Sequence, residues 1–267
     1  MTYTPTEQAN IDAIYRFMEA EAARDFETMY RFTAPDCVSY GPGGMVTRAD
    51  AYDDVFFASL ESLRRSIIDV AADGDTAVFR YRAEMVLRPS GKSASLDGAT
   101  WARMRGDSSW RHGDWARRGR PPTAPAEGGK VMTYTPTEQA NIDAMYRFME
   151  AEAVQDWDTV YQFIAPDCVN YSPTGVVRGH EEMHRFDAAM FAGLQSWRRT
   201  ILDIVADGDA VVFRWRAEAR LRPSGKQAVW EALSWVRMKD GQIIEGWQYF
   251  DSAEVRRQLR PQKEAAL

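Results

Sequence analysis

Two hydrophobic periods alternate along the chain, and the alternation occurs twice. Ile11, Ile14, Tyr15, Met18 and Ala22 recur at helical spacing, so the first stretch predicts an amphipathic helix. Its start is marked by Thr4 as cap, Pro5 in the first turn and Glu7 completing a capping box, and Thr135, Pro136 and Glu138 repeat that signature. A second short helix is expected over 26–32 and 157–163. Ala-Pro-Asp should end it, with a short strand beginning at Cys37 or Cys168. A third helix is predicted over roughly 50–61 and 181–195. The period then changes to two. Strands are expected over 65–71 and 199–205, closed by Asp-Gly-Asp turns at 73–75 and 207–209. Val211, Phe213, Trp215, Ala217, Ala219 and Leu221 alternate with Arg214, Arg216, Glu218 and Arg220 in a long amphipathic strand. Arg-Pro-Ser-Gly-Lys (88–92, 222–226) reads as a hairpin turn, and 229–238 and 243–250 as two further strands joined at Asp240-Gly241. Helices followed by an antiparallel meander give an α+β fold class.

The pattern recurs because the sequence does. Residues 1–37 and 132–168 are identical at 29 of 37 positions, a period of about 131 residues. A repeat that long is a domain, not a solenoid unit. The copies differ at their ends. The second closes with DGQIIEGWQYFDSAEVRRQL, whereas 106–131 in the first hold almost no aliphatic side chains and cannot form a buried strand. The expected organisation is a C-terminally incomplete domain at 1–105, a disordered linker or read-through segment at 106–131, and a complete domain at 132–267. Two origins of 106–131 stay open: an ordinary Arg/Pro/Gly linker, or a frame disruption that joined neighbouring genes.

Composition excludes some function classes. A net charge of −6 gives no support to nucleic-acid or anionic-membrane partners. No apolar run approaches the roughly 20 residues of a membrane span, and MTYTPTEQAN lacks the basic and apolar regions of a signal peptide, so a cytoplasmic location is expected. Cys37 and Cys168 repeat one site and read as small buried hydrophobes. Only five of the 33 basic residues are lysine, which hints at a GC-rich bacterial genome.

Several polar groups invite a chemical reading. Arg216 and Glu218 alternate with an apolar face, which by periodicity alone puts them on the solvated or dimer-facing side of their strand. Glu231, and Asp97 in the first copy, lie in a strand as either pocket acids or surface charges. His180-Glu181-Glu182-Met183-His184 matches HExxH, but the first copy has no histidine there and no third ligand is apparent, so no metal site is expected. Asp251 with Glu254 caps the last helix. The aromatics, Trp230 among them, read mainly as core, some lining a pocket.

This order of elements, with APDC before the first strand and Glu245-Gly246-Trp247-Gln248-Tyr249-Phe250-Asp251 at the end, resembles the nuclear transport factor 2-like superfamily. Within it, the chain is most similar to the SnoaL-like polyketide cyclases and the limonene epoxide hydrolase group. The resemblance implies a cone of helices packed on a curved, mainly antiparallel sheet, with an apolar pocket at the open end. It also implies pairing through the outer sheet face, here as an intrachain pseudo-dimer or a homodimer. SnoaL-like cyclases and the epoxide hydrolases carry an aspartate where this chain has Gln248, which can orient a carbonyl or water but cannot act as general base. The Arg-x-Asp of the epoxide hydrolases maps onto Arg216-Ala217-Glu218, and their water-holding residues map near Asn170, Tyr171 and Ser172. On this resemblance Glu218, Arg216 and Gln248 form the expected catalytic group, and Asn170, Tyr171, Ser172, Trp230 and Glu231 the expected substrate contacts. The implied activity is cofactor-free general acid/base isomerisation, cyclisation or epoxide hydrolysis of a hydrophobic polyketide or terpenoid in secondary metabolism. The alternative is a non-catalytic small-molecule-binding or dimerisation module of the same fold.

Overall fold

The computed structural model describes residues 3–34, 37, 39–41, 44–46, 56–104, 110–112, 134–222 and 224–260. It divides into two units, Met1–Thr133 and Tyr134–Leu267.

The first unit opens with α1 (Pro5–Ala23), capped by the Thr4–Glu7 box as expected. Its buried face comprises Ile11, Ala13, Ile14, Phe17, Met18 and Glu21. Tyr15 and Ala22 are exposed instead, because each lies about 100° round the helix from that face. The single-turn-scale α2 (Phe26–Arg31) is capped by Asp25. A small hairpin follows, β1 (Ser39–Gly41) with β2 (Gly44–Val46). Of the predicted third helix, residues 56–58 are helical, 59 is a turn, 60–61 belong to the next strand, and 50–55 lie outside the described residues. The long strands β3 (Leu60–Asp73), β4 (Thr76–Leu87) and β5 (Ser93–Met104) form an antiparallel meander. No full-length fourth long strand follows among the described residues. A three-residue β6 (Trp110–His112) pairs with Ala102–Met104 at the end of β5, and the remainder of the expected 106–131 segment lies outside the described residues.

The second unit is fuller. It contains α3 (Pro136–Ala153), the one-turn α4 (Trp157–Val160) and a 3-10 turn at Tyr161–Phe163. Next come β7 (Ile164–Ser172), β8 (Gly175–Arg178) and α5 (Gly179–Ala192). The sheet continues through β9 (Leu194–Asp207), β10 (Ala210–Leu221), β11 (Gln227–Lys239) and β12 (Gln242–Tyr249), and α6 (Ser252–Leu259) closes the unit. The sheet order is β8-β7-β12-β11-β10-β9, antiparallel except for β7 beside β12. β7 begins four residues earlier than predicted, so Pro166 lies inside a strand. The sheet tolerates it because the pairing jumps from Ile164–Ile243 to Val169–Glu245, leaving Pro166 with no ladder hydrogen bond to donate.

One contact ties helix to sheet in both units. The Glu7 carboxylate accepts the Thr4 N–H at 2.8 Å and the Gly74 N–H at 3.0 Å. Glu138 does the same for Thr135 at 2.8 Å and Gly208 at 2.9 Å. Gly74 and Gly208 have φ of 58° and 61°, so the hairpin tip that meets the helix start depends on glycine. The capping box therefore also fixes α1 against the turn that leads into the second long strand of its sheet, and α3 in the same way.

Candidate functional site

The inner face of the second sheet buries Val211, Phe213, Trp215 and Ala217 of β10 with Ala232 and Val236 of β11 against α3. Between this face and the helices lies a cavity of about 70 Å³. Phe148, Met183, Phe213 and Val236 give it apolar walls, and Asn170, Arg199, Ser234 and Gln248 bring polar groups to it. Cys168 also lines it, and burial with the nearby Asp167 and Glu245 charges pushes its thiol up to about 12. The volume admits roughly two waters and falls below the roughly 300 Å³ of an ordinary ligand site.

Arg199 dominates the electrostatics. Its side chain is 9% exposed, and its Nη1 donates to Glu152 Oε1 at 2.8 Å. The other Glu152 oxygen accepts Trp197 Nε1–H at 3.1 Å, and the guanidinium lies 4.2 Å over the Trp215 ring. Trp215 Nε1–H in turn donates to Ser234 Oγ at 2.8 Å. Arg199 Nε is buried with no hydrogen-bond partner. A buried donor of that kind costs about 1–3 kcal/mol until an acceptor reaches it.

A second group lies on α5. Tyr161 Oη donates to Asp187 Oδ2 at 2.7 Å, and the tyrosine ring stacks on His184 at 3.7 Å. Burial raises the Asp187 carboxyl above the usual range and the Glu152 charge adds to the rise. The Tyr161 hydrogen bond and the electrostatics of His184 and Arg199 oppose it. Burial, with Asp187 adding to it, likewise raises the Tyr161 phenol. Asp187 stands one helical turn from Met183, which lines the cavity. His180 meets the Ile164 carbonyl at 2.8 Å, and both histidines of HExxH pack on Tyr161, His180 edge-on at 5.0 Å.

The residues expected from sequence separate into two sets. Asn170 and Gln248 reach the cavity. Gly246 lines the cavity beside Asn170. Trp230 is on the same inner face, packed between Trp197 and Phe250. The others do not join them. Arg216 and Glu218 pair with each other at 3.5 Å on the opposite face of β10, with side chains 38% and 49% exposed. Strand alternation forces this, because Trp215 and Ala217 are buried in the core. Glu231 is the register partner of Arg216 and shares its face. Tyr171 stacks on Trp247, and Ser172 closes the β7–β8 turn through the Gly175 carbonyl. The expected catalytic pair of Arg216 and Glu218 is thus replaced at the cavity by Arg199 and its support Glu152.

No spacing rule points to Glu152 and Arg199, which are 47 residues apart. The available signal was the repeat. Glu21 and Arg65 occupy the equivalent places and meet at 2.9 Å, with Arg65 lying 5.0 Å from the Tyr81 ring centre. Asp53, the counterpart of Asp187 in sequence, lies outside the described residues.

Among solved structures the chain is similar to IdmH of Streptomyces antibioticus, described as a candidate polyketide cyclase, with 27% identity, a TM-score of 0.41, and coverage of 45% of this chain and 97% of that one. A candidate SnoaL-like polyketide cyclase of Jannaschia sp. CCS1 matches at 22% identity and a TM-score of 0.45, over 48% of this chain and 99% of the other. An LEH-like epoxide hydrolase of M. tuberculosis matches at 23% and 0.42, over 46% and 92%. No curated protein matches the chain. The family model for the SnoaL-like domain matches twice, at residues 14–112 and 145–246, and on that span the chain belongs to the SnoaL-like family as two tandem copies.

Proposed function

We propose that the second copy binds a small, largely apolar molecule through an acceptor oxygen at Arg199 and carries out cofactor-free proton transfer on it. The observation behind this reading is the unpartnered, buried Arg199 Nε at the wall of a mainly apolar cavity. Glu152 neutralises the guanidinium, so the site suits a neutral carbonyl or epoxide oxygen that gains negative charge during reaction. Gln248 and Asn170 orient that oxygen or a water. Asp187 moves the proton, since burial raises its carboxyl and so makes it a stronger base than an exposed aspartate. Isomerisation or epoxide opening of a polyketide- or terpenoid-derived substrate fits this chemistry.

A second reading is binding without turnover. One observation favours it: no carboxylate is among the cavity-lining residues, and Gln248 stands where related enzymes have an acid. The two readings separate on a panel of small apolar ketones and enones in D₂O. NMR would follow binding by saturation transfer and deuterium entry at the carbon next to the carbonyl. Proton-transfer catalysis requires deuterium entry that Asp187→Asn abolishes while binding persists. Binding with no deuterium entry in the wild-type chain establishes the binding module instead.

A further inference from the structure

The cavity falls below the roughly 300 Å³ of an ordinary ligand site, and aromatic rings pack the inner face beside it. Beyond Arg199, the inner face carries an unbroken run of aromatic rings. Trp157 meets Phe191 at 4.8 Å, Phe191 meets Trp197 at 6.0 Å, Trp197 meets Trp230 at 5.6 Å, and Trp230 meets Phe250 at 6.4 Å. Trp197 is two residues from Arg199 on β9, and Trp230 is four residues from Ser234 on β11, so the run continues directly from the cavity wall. It ends at Phe250, immediately before α6.

The attachment of α6 is unusual. No residue of this helix is buried. Because β12 stops at Tyr249, opposite Leu233, residues 227–232 of β11 have no strand on that side among the described residues. The Gln258 side chain takes the place of a strand there. Its Oε1 accepts the Val229 N–H at 2.8 Å and its Nε2 donates to the Val229 carbonyl at 3.1 Å. Glu254 holds the amide in orientation at 3.0 Å, and Lys226 Nζ donates to the Arg260 carbonyl. The latch is polar, solvent-facing and one residue from Trp230. An element with few buried apolar contacts opens at low cost. The Trp230 Nε1–H is buried without a partner, so this ring gains a hydrogen bond when it moves to water or to a ligand.

We infer that α6 is a strap over the second copy's cavity, latched by Gln258 on the Val229 edge. Its release lets Phe250 and Trp230 swing out and enlarges the cavity to ligand size. The inference takes the cavity as the ligand site proposed above, but its test needs no ligand, so the two fail separately. Cys168 lines the cavity at 2% exposure and reports opening. In the full chain with Cys37→Ser, the rate at which 5,5′-dithiobis(2-nitrobenzoate) labels Cys168 under native conditions measures access. Gln258→Ala should raise that rate by up to about tenfold, the equivalent of one net hydrogen bond. Gln258→Glu, which sets a carboxylate against Glu254 and the Val229 carbonyl, should label at least as fast as Gln258→Ala. Labelling should depend only weakly on low urea, as local opening does. A rate unchanged in Gln258→Ala, with faster Val229 amide exchange proving the latch broken, overturns the strap. A steep urea dependence overturns it too, because access would then require global unfolding.

Discussion

Glu152 and Arg199 meet at 2.8 Å from opposite ends of the second copy's α/β contact, one at the last turn of α3 and the other early in β9. The pair closes helix onto sheet and sets the charge of the cavity wall in one contact. Removing one partner leaves a buried charge uncompensated, which costs about 3–5 kcal/mol. Glu152→Ala should therefore destabilise the second copy by that amount in urea melts of the full chain. Glu152→Leu combined with Arg199→Met should recover most of the loss. A loss below about 1 kcal/mol for Glu152→Ala would mean that the pair behaves as a surface bridge.

Asp187 predicts a pH dependence. Its carboxyl is raised by folding, so the folded state holds the proton more tightly than the unfolded chain. Stability should then fall as pH rises from the ordinary carboxylate range to the raised value. Asp187→Asn, which can still accept the Tyr161 hydrogen bond, should flatten that fall and leave the protein more stable at neutral pH. Thermal melts from pH 4 to 8 check this. A variant that is less stable at neutral pH would contradict it.

Gly98 predicts a packing effect in the first copy. A Cβ there would lie 2.6 Å from both Cζ and Oη of Tyr81, its register partner on β4. Gly98→Ala should cost about 1–3 kcal/mol, and Tyr81→Ala in the same chain should remove the penalty. The second copy has a larger pair, Ala232 opposite Trp215, at the matching place.

The double role of Glu138 gives a graded pair. Thr135→Ala removes the two bonds of its hydroxyl, one accepted from the Glu138 N–H and one donated to the Glu138 carboxylate, and should cost about 1 kcal/mol. Glu138→Ala also strips the Gly208 N–H of its acceptor and should cost measurably more in the same denaturation experiment. Equal losses would show that the hairpin contact contributes nothing.

These contacts mark what the sequence makes legible and where it stops. Caps, turns and strand alternation are local, and they place α1, α3 and the four long strands of the second copy within a few residues. Strand alternation also assigned Arg216 and Glu218 to the outer side correctly. The motif analogy moved them inward, because an Arg-x-acid motif carries no record of which way its strand faces. Glu152, Asp187 and Arg199 are brought together only by folding α3, α5 and β9 into one layer, and no interval along the chain encodes that. Gln248 and Asn170 were legible because they follow terminal motifs whose strands pair side by side, Gly246 being the register partner of Asn170. The strap was not legible, since Gln258 is an ordinary polar residue on a short helix until the open edge of β11 is known.

The proposed proton transfer belongs to the Arg199 cavity and not to the Arg216–Glu218 pair. It is tested most directly by deuterium entry into the best-bound ketone of the panel, compared between two variants of the full chain. Glu218→Gln should exchange at the wild-type rate. Arg199→Met, made with Glu152→Gln so that no buried carboxylate is left unpaired, should lose about 100-fold, the usual effect of removing an oxyanion donor. Loss of exchange in Glu218→Gln with exchange retained in the Arg199 variant would contradict the account and return the site to the outer face of the sheet.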